Sequence, residues 1–277
     1  MTDKGPSPVD TAPLEQILQR FDHLLIAFSG GVDSTLLLAE ALRVLGRDRV
    51  LALTALSPTL PAAEQQEAAQ LAEQLGANHL QLPTQEMQRS AFVTNGPDRC
   101  YHCKSALFDL CDQVIHQQSE PNRWQVAYGA NQDDLGEHRP GMDAARERGI
   151  HAPFLELAWG KTTIRARSHE LALATANKAP FACLSSRFPT HTPITVDHLA
   201  QVEQAEIVLR QAGFRLFRVR FEGAKARVEL GQQELSRLAD PQLKQQLTQQ
   251  IEKTGFLHVF FDPQGYRPGG ANPSSQK

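Results

Sequence analysis

The sequence predicts an α/β protein whose parallel sheet is followed by a small α+β domain. In the first part of the chain, short apolar runs alternate with longer segments of helical periodicity, the pattern of a parallel sheet covered by helices on both faces. After Pro189 the order changes to helix, strand, strand, helix and strand. A length of 277 residues is enough for two domains of these kinds.

The individual elements follow from the same patterns in chain order. Apolar runs predict strands over 23–28, 50–55, 79–82 and 124–128. The segments between them predict helices over 33–45, 61–75 and 101–116. In the last part, the patterns predict helices over 196–211 and 241–254 and strands over 215–221, 226–230 and 256–261, with a hairpin turn at Glu222–Gly223.

These elements divide the chain into a main α/β domain over 16–190 and a small α+β domain over 191–267. The first residues, 1–15, are expected to be a disordered leader. The last residues, 268–277, are rich in Gly, Pro and Ser and are expected to be a disordered tail.

The composition favours a cytoplasmic protein that binds neither membranes nor nucleic acids. No run approaches the ~20 apolar residues that span a bilayer, and the first residues lack the apolar core of a secretory signal. The 28 basic and 31 acidic residues give a net charge of −3, without the positive excess that binds a nucleic acid. Four cysteines are too few for a disulfide scaffold, so their thiols are expected to be reduced and available for other chemistry.

A glycine-rich segment joins the first predicted strand to the first predicted helix. It runs Ala27-Phe28-Ser29-Gly30-Gly31-Val32-Asp33-Ser34-Thr35, with Asp33 and Ser34 expected on an exposed turn. Adjacent glycines let the backbone approach a ligand, the helix supplies the positive end of its dipole, and the hydroxyls supply donors. The segment therefore predicts a pyrophosphate site, with an ordinary strand–helix turn as the alternative. It lacks the G-x-x-x-x-G-K-[ST] pattern of the Walker loop.

The S-G-G-x-D-S pattern from Ser29 to Ser34 resembles the signature of the PP-loop ATP pyrophosphatases. The resemblance implies that ATP is split between its α- and β-phosphates, that AMP is transferred to an acceptor oxygen, and that Mg²⁺ neutralises the leaving pyrophosphate. It also implies that adenine lies over the end of the second strand and that Gly129 lies near the α-phosphate. The predicted ATP-binding residues are Ala27, Phe28, Ser29, Gly30, Gly31, Asp33, Ser34, Thr54, Ala55 and Gly129.

Three of the four cysteines are candidates for chemistry. Cys100 and Cys103 are three residues apart at the start of a predicted helix, so both sulfurs lie on one face, and Cys183 follows in the segment A-C-L-S-S-R. The pair alone leaves open a redox couple, half of a zinc site, ligation of an iron–sulfur cluster, or inert buried thiols. Cys111 lies among apolar residues of the same helix and is assigned to packing.

Taken together, the motifs resemble the LarE family of ATP-dependent sulfur transferases, which make the nickel-pincer nucleotide cofactor of lactate racemase. The motifs are S-G-G-V-D-S, R-C-Y-H-C-K-S-A-L-F from Arg99, Y-G-A-N-Q-D-D-L-G-E-H-R-P-G from Tyr128, A-C-L-S-S-R-F-P from Ala182 and R-V-R-F from Arg218. The resemblance extends from about Leu14 to Gly269. It implies a PP-loop fold, which is Rossmann-like and of the adenine nucleotide alpha hydrolase type.

The resemblance implies that ATP adenylates a carboxylate of pyridinium-3,5-biscarboxylic acid mononucleotide and that a sulfur nucleophile displaces AMP to leave a thiocarboxylate. In one branch of the family a cysteine, here Cys183, gives up its sulfur and becomes dehydroalanine. In another branch three cysteines bind a [4Fe-4S] cluster, and a sulfide on its open iron is the donor. Because Cys100, Cys103 and Cys183 are all present, the cluster is the favoured prediction. The family also implies a homo-oligomer and transient sulfur-donor and nickel-insertion partners.

Two arginines of a predicted strand are candidates for binding the mononucleotide. Arg218 and Arg220 are two residues apart, so their side chains share one face, and guanidinium groups match the geometry of a phosphate. A solvated basic strand is the alternative. Glu206 and Glu229 are also candidates for the site, but as glutamates of a helix and a strand they are expected to be ordinary surface residues. The predicted contacts of the substrate phosphate are Ser186, Arg187, Arg218 and Arg220.

Three other functions compete with this one. A PP-loop tRNA thiolase can combine the same loop with several cysteines and a cluster, but it must bind a polyanion, which the net charge of −3 disfavours. A ligase of the GMP synthetase or NAD synthetase type would leave three cysteines without a role. A nucleotide-binding sensor would need only the loop and would not explain Cys183 or the arginine strand.

Overall fold

The structure is a computed structural model that describes residues 9–135, 140–179 and 181–267. The predicted tail 268–277, residues 1–8 of the predicted leader and residues 136–139 of the Tyr128 motif lie outside the described residues. The chain divides into two compact units. The first takes in the described residues of Met1–Ser57, Ala62–Glu86 and Cys100–Phe181, and the second those of Pro58–Pro61, Met87–Arg99 and Ala182–Lys277.

The described residues form the following helices and strands. The strands are β1 (His23–Ala27), β2 (Val50–Leu56), β3 (Asn78–Pro83), β4 (Trp124–Tyr128), β5 (Phe217–Glu222), β6 (Lys225–Leu230) and β7 (His258–Phe261). The α-helices are α1 (Ala12–Leu18), α2 (Val32–Leu45), α3 (Ala62–Gln74), α4 (Ser90–Val93), α5 (Arg99–His116), α6 (Pro140–Glu147), α7 (Pro153–Glu156), α8 (Lys161–Glu170), α9 (Val196–Gln211) and α10 (Pro241–Glu252).

The first unit is built on a four-stranded parallel sheet in the order β3-β2-β1-β4. Side chains of β1 alternate between two apolar clusters, with Leu24 and Ile26 in one and Leu25 in the other. Both faces of the sheet are therefore buried, which explains why its strands appear in the sequence as continuous apolar runs. The predicted α/β fold is confirmed.

The second unit contains a three-stranded sheet in the order β5-β6-β7. β5 and β6 are antiparallel, and β7 pairs with β6 in parallel. Helices α9 and α10 contribute buried residues such as Val202 and Ile251 to the core of this unit. The hairpin turns at Gly223 and Ala224, one residue later than predicted, and Gly223 has a φ of +65° that favours glycine.

Two features depart from the sequence-based expectations. Helix α1 begins inside the predicted leader, and its Leu14 and Leu18 are fully buried, so the chain is ordered from before residue 16. The two segments 58–61 and 87–99 belong with the second unit although they lie early in the chain. In the segment 87–99, Asn95 Nδ2 donates to the carbonyl oxygens of Pro189 and Thr192 at 2.8 and 3.0 Å, and in the segment 58–61 the carbonyl oxygen of Thr59 accepts from the N–H of Leu184 at 2.8 Å.

The units divide between residues 181 and 182, near the predicted domain boundary at 190. That boundary, and the division of roles between the two domains, stay predictions. No helix within the described ranges is long and apolar enough to cross a membrane.

Candidate active site

The glycine-rich segment forms the turn between β1 and α2. Gly30 has a φ of +68°, and a Cβ atom there would lie 3.1 Å from the Cα of Ala68, so this position requires glycine. Gly31 is the N-cap residue of α2, and no described side chain caps the helix. The first N–H groups of α2 can therefore bind an anion at the positive end of the helix dipole.

Two serine hydroxyls brace this turn. Ser34 Oγ donates to the carbonyl oxygen of Gly31 at 3.2 Å, accepts from the N–H of Ser29 at 3.3 Å and lies 3.2 Å from Ser29 Oγ. Ser34 is only 5% exposed, so the expectation that it lies on an exposed turn is wrong. The neighbouring Thr35 Oγ1 is buried without a hydrogen-bond partner among the described residues. The serine hydroxyls thus hold the turn in shape from within.

Asp33 is held from two sides at the start of α2. Its Oδ2 forms an ion pair with Lys161 Nζ, and its Oδ1 accepts a hydrogen bond from Asn131 Nδ2 at 3.3 Å. Lys161 is the first residue of α8, and Asn131 lies just beyond β4. The side chains of Asp33 and Lys161 stay 19% and 38% exposed. Because both side chains are partly exposed, each charged group can form an ion pair with another partner without first having to leave a buried position.

Gly129 brings the end of β4 against the same turn. A Cβ atom at this position would lie 2.8 Å from the N of Ser34 and 2.9 Å from the carbonyl carbon of Asp33. Both neighbours are backbone atoms at the start of α2, which cannot give way cheaply. Only glycine fits here, and Gly129 packs against the turn, while its contact with an α-phosphate stays a prediction.

Thr54 ties the end of β2 to β1. Its buried Oγ1 donates to the carbonyl oxygen of Phe28 at 2.9 Å and lies 2.9 Å from His79 Nε2. Burial lowers the pKa of His79, which favours the neutral ring. Because the hydroxyl proton points to Phe28, we infer that Nε2 carries the ring proton and donates to Thr54. The next residue, Ala55, is half-buried, and its contact with adenine stays a prediction.

Three residues at the turn were not predicted from the sequence, namely Asn131, Lys161 and Lys178. Lys178 Nζ donates to the carbonyl oxygen of Gly30 at 3.2 Å and pairs with Glu64 and Glu67 of α3 at 2.8 and 2.9 Å. All three residues reach the loop from distant parts of the chain, so no local pattern connects them with it. Two features of the sequence could have pointed to them. Asn131 lies in the motif that begins at Tyr128, and Lys161 follows a glycine at the start of its helix, as Val32 follows Gly31.

In the second unit, most of the predicted arginine site is paired internally. Arg187 is 1% exposed and forms two 2.9 Å bonds to the carboxylate of Glu206. Arg220 pairs with Glu229 at 2.8 Å, and Arg227 pairs with the other oxygen of that carboxylate at 2.5 Å. Glu206 and Glu229 are 4% and 0% exposed, so the expectation that they are surface residues is wrong.

Arg218 differs from its neighbours because no described carboxylate forms an ion pair with it. Its Nη1 donates to the carbonyl oxygen of Phe217 at 2.7 Å, and its Cζ lies 5.2 Å from the ring centre of Tyr266. Burial, and then the positive charge of Arg187, lower the pKa of Arg218. Ser186 serves the paired arginines, because its Oγ accepts from Arg187 and its carbonyl oxygen accepts from Arg220, both at 3.0 Å. Arg218 is therefore the guanidinium of this strand that a ligand anion would stabilise most.

The four cysteines fall into two groups by exposure. Cys100 is exposed, and Cys103 and Cys183 are half-buried. Cys111 is fully buried in the apolar cluster under α5, which confirms its assignment to packing, and burial raises the pKa of its thiol to about 12. Cys100 and Cys103 lie in the first unit, and Cys183 lies in the second. Among the residues that the structure describes, no three His, Cys, Asp or Glu side chains form a group that could hold a metal ion.

The parallel sheet, the S-G-G-x-D-S turn after its first strand and the polar network around Asp33 define a PP-loop enzyme that uses ATP. In agreement, the NAD synthase family profile matches residues 14–106. The chain is 39% identical over 264 residues to an uncharacterized protein of Synechocystis sp., an alignment that covers 94% of this chain and 95% of the relative. It is 28% identical over 250 residues to an uncharacterized protein of Methanocaldococcus jannaschii, covering 88% of this chain and 90% of that one.

A further relative has a named activity. The chain is 35% identical over 267 residues to the pyridinium-3,5-bisthiocarboxylic acid mononucleotide synthase of Lactiplantibacillus plantarum, covering 96% of this chain and 95% of the synthase. At this identity and coverage, the chain belongs to the LarE family of PP-loop sulfur transferases.

Proposed function

We propose that the protein adenylates a carboxylate of pyridinium-3,5-biscarboxylic acid mononucleotide and converts it to a thiocarboxylate for the synthesis of a nickel-pincer nucleotide cofactor. The observation that carries the proposal is the braced Ser29–Ser34 turn in a chain that matches a synthase of the corresponding bisthiocarboxylic product. A carboxylate oxygen attacks the α-phosphorus of ATP, and the bond to the β-phosphate oxygen breaks. Pyrophosphate leaves, and the acceptor becomes an acyl adenylate.

The turn favours this step through charge. Negative charge grows on the bridging oxygen of the pyrophosphate as the bond breaks. The uncapped N–H groups at the start of α2 present fixed positive dipoles to an anion there. In the second step a sulfur nucleophile attacks the activated carbonyl carbon, and AMP is the leaving group.

Mg²⁺ fits the residues around the turn. This ion is usually held by one or two carboxylates and by the phosphates of its nucleotide, so a dedicated cage of protein ligands is not required. Asp33 supplies a partly exposed carboxylate at the turn and would hold the ion. When bound, Mg²⁺ would neutralise charge on the leaving pyrophosphate.

We assign the phosphate of the mononucleotide to Arg218 among the predicted contacts. Arg187 and Arg220 already have carboxylate partners, whereas the half-buried Arg218 forms no ion pair with a described carboxylate. Binding of a phosphate would supply the missing counter-charge. The other three predicted contacts, Ser186, Arg187 and Arg220, would then support Arg218 rather than share the ligand equally.

For the sulfur source we propose Cys100, Cys103 and Cys183, with a [4Fe-4S] cluster as the first form to test and sacrifice of Cys183 as the alternative. All three thiols are at least partly exposed, in contrast to Cys111. The described residues hold no preformed group of three metal ligands, so the side chains as they lie in the structure do not fit a cluster. In the sacrificial route, the Cys183 thiolate attacks the acyl carbon and AMP leaves. Loss of the Cys183 Hα and cleavage of its Cβ–S bond then release the thiocarboxylate and leave dehydroalanine.

The first test measures pyrophosphate release. The wild-type protein should release pyrophosphate and AMP only when ATP and the mononucleotide are both present, and the product mass should show replacement of oxygen by sulfur. Asp33→Ala should abolish the release without loss of folding, whereas Asp48→Ala, at an exposed aspartate of the same unit, should not. ATP consumption by Asp33→Ala at the wild-type rate would overturn the proposal.

The second test identifies the sulfur source. Anaerobically purified protein is analysed for iron and acid-labile sulfide, and the mass of the chain is measured before and after turnover. A cluster predicts iron that is lost in each of the Cys100→Ala, Cys103→Ala and Cys183→Ala variants but kept in Cys111→Ala, together with several turnovers per chain when sulfide is supplied. A loss of mass equal to H₂S at Cys183 in iron-free, active protein would reject the cluster and support the sacrificial route.

A further inference from the structure

Helices α2 and α8 of the first unit run side by side in the same direction. Asp33 and Lys161 pair near the first residues of the two helices, and Glu40 and Arg167 pair further along both, at 2.6 Å. Glu40 is fully buried, so this second pair fixes the two helices to each other. The positive ends of both helix dipoles therefore lie next to each other.

Both helices begin in a way that suits an anion. Their N-cap residues are Gly31 and Gly160, and described side chains cap neither helix from the N-cap position. At α8 a carboxylate already occupies such a place, because Asp133 Oδ2 accepts a 2.6 Å hydrogen bond from the N–H of Lys161. The equivalent place at α2 is the turn that binds pyrophosphate in the proposed function.

Lys161 is a partly exposed positive charge at the start of both helices. Its ammonium group pairs with Asp33 while 38% of the side chain stays exposed, and the long lysine stem can re-aim without any change of backbone. Asp33 is also the carboxylate that would hold Mg²⁺. If Asp33 held the metal, its ion pair with Lys161 would weaken, and the ammonium group would be free to bind a phosphate.

We propose that Lys161 exchanges partners during the reaction, from Asp33 in the nucleotide-free enzyme to the β- and γ-phosphates of bound ATP, and that it holds the leaving pyrophosphate. The proposal rests on the ATP site of the proposed function. It makes Lys161 a contact of the triphosphate end only. AMP lacks those phosphates and should not depend on this lysine.

The test compares three ligands on the full-length protein without an acceptor. Dissociation constants of ATP, pyrophosphate and AMP are measured by calorimetry in the presence of Mg²⁺. Lys161→Ala should weaken ATP and pyrophosphate by about 10- to 100-fold, the scale of one hydrogen bond to a charged group, and should leave AMP within about threefold. Lys161→Arg, which keeps the charge, should recover part of the loss.

Two variants serve as controls. Thr162→Ala changes the exposed neighbour of Lys161 on α8, and Lys244→Ala removes a positive charge from the exposed surface of α10. Both should bind all three ligands as the wild type does. Thermal unfolding checks that each variant is folded.

Two results would overturn the exchange. An equal loss of affinity for AMP and ATP would mean that Lys161 only supports the turn, and unchanged affinity for pyrophosphate would mean that it does not contact the leaving group. Failure of the proposed function has a separate signature, because it would appear as a wild-type protein that binds ATP but forms no thiocarboxylate from the mononucleotide.

Discussion

The glycine-rich turn of the first unit and the arginine strand of the second both have the sequence of an anion site, yet they are built in opposite ways. At the turn the binding groups are backbone N–H groups, and the charged pair beside them, Asp33 and Lys161, stays partly exposed. On β5 and β6, Arg220 and Arg227 share the fully buried carboxylate of Glu229. One region leaves its binding groups available, and the other uses most of its charge to hold the fold.

The difference shows which kinds of site a sequence can predict. The turn is shaped by contiguous residues, because Gly30, Ser29 and Ser34 act on one another within a few positions. An arginine site depends on what lies opposite each arginine, and the partner of Arg187 is Glu206, on another element. Residue spacing gives the side-chain direction of Arg218 and Arg220 but not their partners.

The largest expected effect comes from Glu229→Gln. This change leaves the buried guanidinium of Arg220 without its counter-charge, and breaking a buried ion pair in this way costs about 3–5 kcal/mol. Unfolding in urea should show a loss of that size. Glu120→Gln is the control, because its pair with Arg123 is exposed to solvent and should contribute little to stability. Equal and small losses of the free energy of unfolding in both variants would contradict the distinction between charges that hold the fold and charges that stay available to a ligand.

Arg218→Ala should have the converse signature. Since Arg218 has no carboxylate partner among the described residues, its loss should lower the free energy of unfolding much less than Glu229→Gln does. Affinity for the mononucleotide should fall by about 1.5–3 kcal/mol, the contribution of a hydrogen bond to a charged group, with ATP binding unchanged. Calorimetry with both ligands measures this.

Arg187→Ala provides the comparison for Arg218→Ala. It breaks a buried pair with Glu206 and should destabilise the fold by several kcal/mol. A result in which Arg187→Ala lowers affinity for the mononucleotide without lowering stability, while Arg218→Ala does the reverse, would exchange the roles that we assign to them.

Local periodicity predicts much of the fold. β4 and α9 have the ranges that the apolar patterns predict, because both elements bury a regular set of side chains in the core of their own unit. Helix α1 was missed because its seven residues give too short a pattern to stand out beside the prolines and glycine that precede it. Its place in the fold depends on Leu14 and Leu18 finding a core that the rest of the chain builds.

The candidate site likewise contains residues that local sequence patterns predict and residues that only the packing of the fold brings together. The glycines of the Ser29–Ser34 turn follow from the need for glycine where a backbone approaches a ligand or a neighbouring chain segment closely, whereas Gly129 was predicted only through the resemblance to the PP-loop enzymes. Lys161 and Lys178 could not be found in this way, because each is brought to the turn by the packing of a distant helix or loop. The sequence could not predict whether Cys100, Cys103 and Cys183 are exposed, because the spacing of Cys100 and Cys103 is equally compatible with inert buried thiols.

The cysteines also divide into one buried thiol, Cys111, and three that are at least partly exposed. Burial raises the pKa of Cys111 to about 12, from 9.0 for an exposed thiol. Above pH 9 the unfolded chain loses this proton while the folded protein keeps it, so folding becomes less favourable as the pH rises. The wild type should lose about 1.4 kcal/mol of stability per pH unit relative to Cys111→Ala, whose side chain cannot ionise. Below pH 9 the difference between the two proteins should be constant, because the thiol is then protonated in both states.

Urea unfolding of both proteins under reducing conditions at pH 8, 9, 10 and 10.5 measures this difference. A constant difference over the whole range would show that Cys111 ionises as readily in the folded protein as in the unfolded chain, and the distinction between it and the three other thiols would be lost.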